Sequence, residues 1–589
     1  MFDSTIGSTT ILMPYGGKNQ MTEVQASVQR LPILNGKTKT VSVATFGYNP
    51  DISKWSPYHG AMCAVIESVA KIVATGARYN NIRLTFQEYF EKMNSSISWG
   101  KPVASLLGAL KAQLELGLPA IAGKDSMSGT FNNIAVPPTL ISFAFTTAKD
   151  DEIITPEFKS RGHKLYLIRH QENKNYTPNF EELKDNFEFV NHNIKNGRIV
   201  SAYAIGYGGL IEALAKMSFG NSVGFYVHCD EKELNRFNYG SIVCEVNGNL
   251  EVPAELEPNF VRIGRTSHIQ YGVINGVKFS LASLMEANTK KFTKIFRSKN
   301  ETVGVDVISF RPYKKKVQLL KNKDEVICYM PVFPGTNCDH DTKRSFEAAG
   351  AKVISKVFKA QTPDDVLEST KIMASEIDKC DIFVLSGGFS AADEPDGSGK
   401  YIANILVYPD VKAAIDRLIE RKGLILGICN GFQALIKSGL LPYETLGEVD
   451  IDYPTLVKNE LGRHVSQIAY TKVMTNASPW LSSYKTGEII STPLSHNDGR
   501  FVCNKKTMLE LIKNGQVAFT YSNLNGTIAD QAPYNPNGSM YAVEGIISKD
   551  GLILGKIGHT ERNVEGLYKN IIGNKCTNIF VNAVNYFKK

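Results

Sequence analysis

Apolar positions along residues 1–150 switch between the two-residue period of a half-buried strand and the 3.6-residue period of a helix. Residues 41–47 read as a strand, and 61–75 as a helix with Val65, Val69, Ile72 and Val73 on roughly one face. Residues 104–116 form a second helix, which Gly117-Leu118-Pro119 terminates. A polar, glycine-led loop follows, Gly123-Lys124-Asp125-Ser126-Met127-Ser128, before strand character returns over 138–145.

The same alternation continues over 151–300, with a strand at 164–168 and a helix that starts near Gly208-Gly209-Leu210 and carries Ile211, Leu214 and Met217. Residues 301–323 are charged and irregular, as a linker is. Val326-Ile327-Cys328-Tyr329-Met330 opens a third region, 324–589, whose strand–helix rhythm predicts a mostly parallel sheet covered on both faces. The pattern as a whole describes an α/β and α+β multidomain chain.

A chain of 589 residues exceeds one hydrophobic core, which requires several domains. The +8 formal charge is spread along the sequence. Its densest cluster, Lys314, Lys315, Lys316, Lys321 and Lys323, falls in the linker without interleaved aromatics, which excludes a general nucleic-acid function. Nine cysteines without paired spacing make no disulfide framework. No apolar run reaches membrane-spanning length and no signal peptide opens the chain, so a cytoplasmic protein without a membrane partner is expected.

The sharpest chemical signal is Gly427-Ile428-Cys429-Asn430-Gly431-Phe432-Gln433, where an apolar strand runs into a helix. Small residues around Cys429 permit the tight turn of a nucleophile elbow. A helix N-terminus favours a thiolate there, and the following N–H can bind an oxyanion. His559, in Gly558-His559-Thr560-Glu561-Arg562, is the candidate proton donor. If strand geometry continues to Glu561, alternate residues project together and the carboxylate orients the imidazole. A packed core cysteine and a structural histidine are the bland readings of each motif alone; both motifs on one βαβ domain favour chemistry.

These two motifs resemble the signatures of class I glutamine amidotransferases. Phe333-Pro334-Gly335-Thr336-Asn337-Cys338-Asp339, Leu385-Ser386-Gly387-Gly388-Phe389-Ser390 and Asn535-Pro536-Asn537-Gly538-Ser539 narrow the likeness to the phosphoribosylformylglycinamidine synthase family, large form. The resemblance implies AIR-synthetase-like subdomains at 1–150 and 151–300, followed by a flavodoxin-like amidotransferase at 324–589. It also implies a reaction of glutamine, ATP and phosphoribosylformylglycinamide with Mg2+ as cofactor. Gly387, Gly388 and Phe389 would supply an oxyanion amide, with Asn430 and Gln433 beside the glutamine. Gly123, Lys124, Asp125 and Ser126 would contact phosphate, and Glu67 a metal.

The chain departs from this family in two ways. It resembles only the second synthetase repeat, which points to a fragment or split gene whose full reaction needs the first repeat as a partner. An auxiliary nucleotide site of the family carries acids where this chain has Ala204-Ile205-Gly206-Tyr207-Gly208-Gly209, and Lys71 stands one turn after Glu67. That site is expected not to hold magnesium-nucleotide in the usual way. Cys338-Asp339-His340 is read as a turn near the pocket rather than a metal site, and His496 as structural. Two alternatives stay open: a class I glutaminase serving another synthetase, and a non-catalytic regulatory half-enzyme.

Overall fold

The computed structural model describes residues 3–33, 36–297, 310–393 and 399–589. Two compact units divide the chain. One comprises Met1–Ser8, Phe292–Glu565 and Gly573–Lys589; the other comprises Thr9–Lys291 and Gly566–Ile572. Each unit thus takes a short segment from the far end of the chain. Residues 301–309 of the expected linker lie outside the described residues. From Phe310 on, the remainder follows the first of these units, where the Tyr313 N–H donates to the Met474 carbonyl and the Leu320 N–H to that of Tyr586.

The unit of Thr9–Lys291 is built on two sheets. The first has five strands in the order Ser27–Arg30, Thr40–Gly47, Thr139–Lys149, Arg83–Tyr89, Ala120–Lys124, and only its last pair is parallel. The helix Pro57–Ala74 packs on one face of it and is buried along most of its length. A second helix, Ser96–Leu116, turns its small residues inward: a Cβ on Gly108 would stand 2.0 Å from the Tyr58 carbonyl oxygen. Its large residues, Trp99, Val103, Leu106, Leu107, Leu110 and Leu114, recur at helical spacing and are exposed. The second sheet has seven strands, antiparallel except for Gly224–Val227 beside Tyr271–Ile274, and carries the helix Gly209–Phe219. Asn570 ties the returning segment Gly566–Ile572 to this unit by a reciprocal pair of bonds with the Met13 backbone, at 2.8 and 2.7 Å.

The other unit holds a nine-stranded sheet. Five neighbouring strands are parallel, in the order Lys352–Val357, Ile327–Val332, Ile382–Leu385, Leu424–Ile428, Ile553–Lys556. Alternate residues feed two cores: Ile382 and Val384 join Phe346 and Phe580 on one face, Phe383 and Leu385 join Met373 and Ile415 on the other. Burial on both faces explains why these strands read as unbroken apolar runs. The four remaining strands are antiparallel, which the expectation of a mostly parallel sheet did not include. Connections as short as Ser548–Leu552 return the chain as hairpins and leave no length for a crossover helix.

Candidate active site

Catalytic residues of open α/β sheets collect at the C-terminal ends of parallel strands, and four such ends converge here. Leu424–Ile428 passes through Cys429 directly into the helix Asn430–Lys437. Cys429 has φ 52° and ψ −105°, a conformation that L-residues hold only under constraint. The neighbouring glycines permit it. A Cβ on Gly431 would stand 2.0 Å from the Leu385 carbonyl oxygen, and one on Gly427 2.6 Å from Leu435 Cδ1. The Cys429 N–H donates to the Lys556 carbonyl at 2.8 Å, and its own carbonyl accepts from the Gln433 N–H at 3.0 Å.

His559 and Glu561 meet by a different route from the one their spacing implied. The strand ends at Lys556, and Thr560–Arg562 is a tight 3₁₀ turn. That turn places Glu561 Oε1 2.6 Å from His559 Nδ1, with both side chains buried. His559 Nε2 finds no hydrogen-bond partner among the described residues. A Cβ on Gly387 would stand 2.8 Å from His559 Cε1 and 3.5 Å from Cys429 Cβ, so the bare glycine lets imidazole and thiol lie side by side.

Burial and the Arg562 guanidinium act to lower the His559 pKa, but Glu561, Cys338 and Cys429 outweigh them and hold it well above the ordinary value. Burial would raise the Glu561 pKa; the facing imidazole brings it below the usual carboxylate value instead. The two form a charged pair, and Nε2–H remains a donor for a reacting group. A cavity of about 220 Å³ opens over them, bounded in part by Gly388, Phe389, Gln433 and Ser495.

The remaining expected site residues take distinct places. The Phe389 N–H donates to the Gly335 carbonyl at 2.9 Å, so Phe389 is no oxyanion donor although its side chain lines the cavity. The Asn430 side chain anchors the loop: its Oδ1 accepts from the Ser390 N–H at 3.3 Å and its Nδ2 donates to Gln433 Oε1 at 3.0 Å. Gln433 in turn donates to the Asp498 carbonyl. Asn535, Asn537 and Ser539 form a buried knot, and Asn537 Nδ2 donates to the Gly499 carbonyl at 2.8 Å, fixing the loop that carries His496. Burial above all pushes His496 down to about 3, and Asn459 Nδ2 lies 3.1 Å from its Nδ1, so it stays neutral.

Sequence reasoning gave Arg562 and Asp3 no role here. Arg562 is buried; its Nη2 donates to Cys338 Sγ at 3.1 Å and its Nη1 to Asp3 Oδ2 at 2.5 Å. Cys338 Sγ lies 3.8 Å from His559 Nδ1. Cys338, His559 and Glu561 thus bring three ligand atoms within 4.8 Å of one another. The guanidinium already supplies the cation of this cluster, and Nδ1 is spent on Glu561.

Residues 326–587 match the family of CobB/CobQ-like glutamine amidotransferase domains. The chain is 35% identical over 233 residues to the phosphoribosylformylglycinamidine synthase subunit PurQ of Gloeobacter violaceus, covering 39% of this chain and 86% of that one. This chain belongs to the PurQ family. The PurQ subunit of Sulfurimonas denitrificans is 31% identical over 254 residues, covering 43% of this chain and 97% of that one. Among solved structures, that of PurLQS from Thermotoga maritima is 25% identical with a TM-score of 0.33, covering 44% of this chain and 99% of that one.

The PurQ relatives align with less than half of this chain, so the Thr9–Lys291 unit must be read from its own geometry. The expected phosphate loop is only partly a loop. Gly123 and Lys124 end an exposed edge strand, and Asp125 and Ser126 follow it. The Lys124 ammonium lies 5.1 Å from the centre of the Tyr89 ring, and the Ser126 N–H donates to the Glu88 carbonyl at 3.0 Å. Burial, then Asp125, pushes Glu88 up to about 7. Glu67 does not fit a metal ligand. Lys71 Nζ lies 2.8 Å from its Oε1, and its Oε2 accepts the Tyr48 N–H at 2.9 Å. Lys71 also donates to the Phe46 carbonyl at 2.9 Å. An internal ammonium therefore stands where a cation would be required.

Proposed function

We propose that this chain carries out the glutaminase half-reaction of phosphoribosylformylglycinamidine synthesis and contributes half of the synthetase. The convergence of Cys429, His559 and Glu561 at the strand ends carries the reading. Cys429 Sγ adds to the carboxamide carbon of glutamine. The oxygen takes the negative charge and is received by the N–H groups of Gly388 and Asn430. His559 passes its Nε2 proton to nitrogen as the C–N bond breaks, releasing ammonia and leaving a γ-glutamyl thioester. Neutral His559 then takes a proton from water, which adds to the thioester carbon. Glutamate leaves and the thiolate returns.

In the family reaction, ATP activates the formyl amide oxygen of phosphoribosylformylglycinamide and ammonia displaces the phosphate. Support for a first repeat supplied by a partner comes from the exposed apolar residues of the Thr9–Lys291 unit. The outward stripe of Ser96–Leu116 leaves large apolar residues exposed on the helix side, and Phe46 and Phe145 do so on the opposite face of the sheet. The first synthetase repeat, supplied by a partner, would also provide the opposite wall for Lys124, Asp125 and Ser126.

The test is an electrophilic glutamine analogue, with the adduct located by peptide mass spectrometry. Labelling at Cys429 that excess glutamine suppresses and Cys429→Ala abolishes is the expected result. Labelling scattered over the other cysteines would overturn the reading.

A further inference from the structure

A short stretch more than 300 residues away in sequence forms part of the wall of the glutaminase pocket. Asp3 and Ile6 line the cavity with Cys429 and His559. The stretch is pinned at two points, both linked to the turn that carries Glu561. At one, Arg562 Nη1 donates to Asp3 Oδ2 at 2.5 Å and to Thr5 Oγ1 at 2.8 Å, and Arg562 directly follows Glu561. At the other, the Gly7 N–H and the Ser8 hydroxyl donate to the Asp341 carboxylate at 3.2 and 2.9 Å. Asp341 also pairs with Arg344 at 2.9 Å, and that guanidinium donates to the Glu561 carbonyl at 3.2 Å.

Arg562 is the node of this arrangement. It holds a full positive charge one residue from Glu561, whose Oε2 has no hydrogen-bond partner among the described residues. A guanidinium lacking its counter-ion would draw that carboxylate away from His559 and would disfavour the imidazolium. Asp3 offsets both effects. Burial would raise the Asp3 carboxyl, yet Arg562 with hydrogen bonds from Ser495 and Thr5 holds it at about 2, so it stays ionised through the working pH range.

Resting on the glutaminase reading above, we propose that Asp3 is a positioning residue for His559, acting through Arg562, and that residues 3–8 are a strap whose seating permits thioester formation. The charges facing the imidazole come from several elements. Glu561 and Arg562 share its turn, Cys338 Sγ lies 3.8 Å from its Nδ1, and Cys429 acts on its charge as well. His464, just before the strand Val465–Val473, and His496, at the end of the strand Ile489–His496, approach from the adjoining sheet, both with pKa values lowered first by burial. Asp498 lines the same cavity, and the Lys556–Glu544 pair lies beneath Gly558. Of these, Asp3 is the anion bound directly to the Arg562 guanidinium from outside the catalytic turn.

The experiment follows glutamate release from glutamine over excess full-length chain, across pH, with melting curves as a folding control. Asp3→Asn is expected to slow release about tenfold and to move the alkaline limb of the profile down by about one pH unit. Glutamine affinity should change less than twofold, and Asp3→Glu should restore most of the rate. Ser8→Ala keeps the charge and loosens the far anchor; it serves if Asp3→Asn does not fold, with an expected slowing of about threefold. An Asp3→Asn profile superimposed on wild type, or an unchanged Ser8→Ala rate beside an unfolded Asp3→Asn, overturns the strap alone. Wild-type protein that releases no glutamate and leaves Cys429 unlabelled overturns the glutaminase reading, and the strap with it.

Discussion

Lys71 Nζ and Glu67 Oε1 lie 2.8 Å apart, one helical turn from each other, with both side chains about nine-tenths buried. Burial raises the Glu67 pKa and Lys71 only partly offsets it. Removing the lysine alone strands a buried carboxylate, so Lys71→Met should cost about 3–5 kcal/mol in urea or guanidinium unfolding. Replacing both, as Lys71→Met with Glu67→Leu, should be close to neutral. A carboxylate with a raised folded pKa destabilises the fold above that pKa, so the Lys71→Met deficit should shrink as pH falls.

Glu561→Gln keeps the shape of the side chain and removes its charge. Glutamate release should fall on the order of 10⁴-fold, as when the acid of a catalytic triad is neutralised. Its stability signature has two limbs. The raised His559 pKa contributes stability below its unfolded value that is lost as pH rises through the folded value. The lowered Glu561 pKa contributes stability above its unfolded value that is lost as pH falls through the folded one. Melting temperature plotted against pH should be flatter in the variant than in wild type.

At Cys429 the usual order of alanine and glycine should invert. Its φ of 52° suits glycine and strains a residue with a Cβ. Cys429→Gly should therefore be more stable than Cys429→Ala by about 1 kcal/mol, read from paired denaturation curves. Both variants should be inert toward the glutamine analogue.

The apolar stripe of Ser96–Leu116 should make the isolated chain self-associate as concentration rises. Leu107→Asp with Leu114→Asp, both at exposed positions, should yield a monomer in sedimentation velocity without lowering the melting temperature. A stripe that stays monomeric at high concentration would count against a missing partner at this face.

Local pattern carried much of this fold. The strand at Lys164–Ile168 and the helices Pro57–Ala74 and Gly209–Phe219 follow from periodicity, and the elbow at Cys429 from its glycines. The turn that joins His559 to Glu561 was not legible, because an i, i+2 spacing fits a strand and a tight turn alike. Asp3 was invisible for another reason. Its role depends on Arg562, 559 residues away, and no local pattern encodes a pairing at that separation. The small inward residues of Ser96–Leu116 were similarly hidden, since an exposed apolar stripe and a buried one share the same period.

The exchange of short segments between the two units bears on any attempt to dissect the chain. A cut in the region 298–309 would release one piece without Asp3–Ser8 and another without Gly566–Ile572. Neither product would be a whole folding unit, however clean the boundary looks in sequence. A working separation would need circular permutation or grafted termini, and the same exchange of segments would oppose the gene's division into independently made subunits.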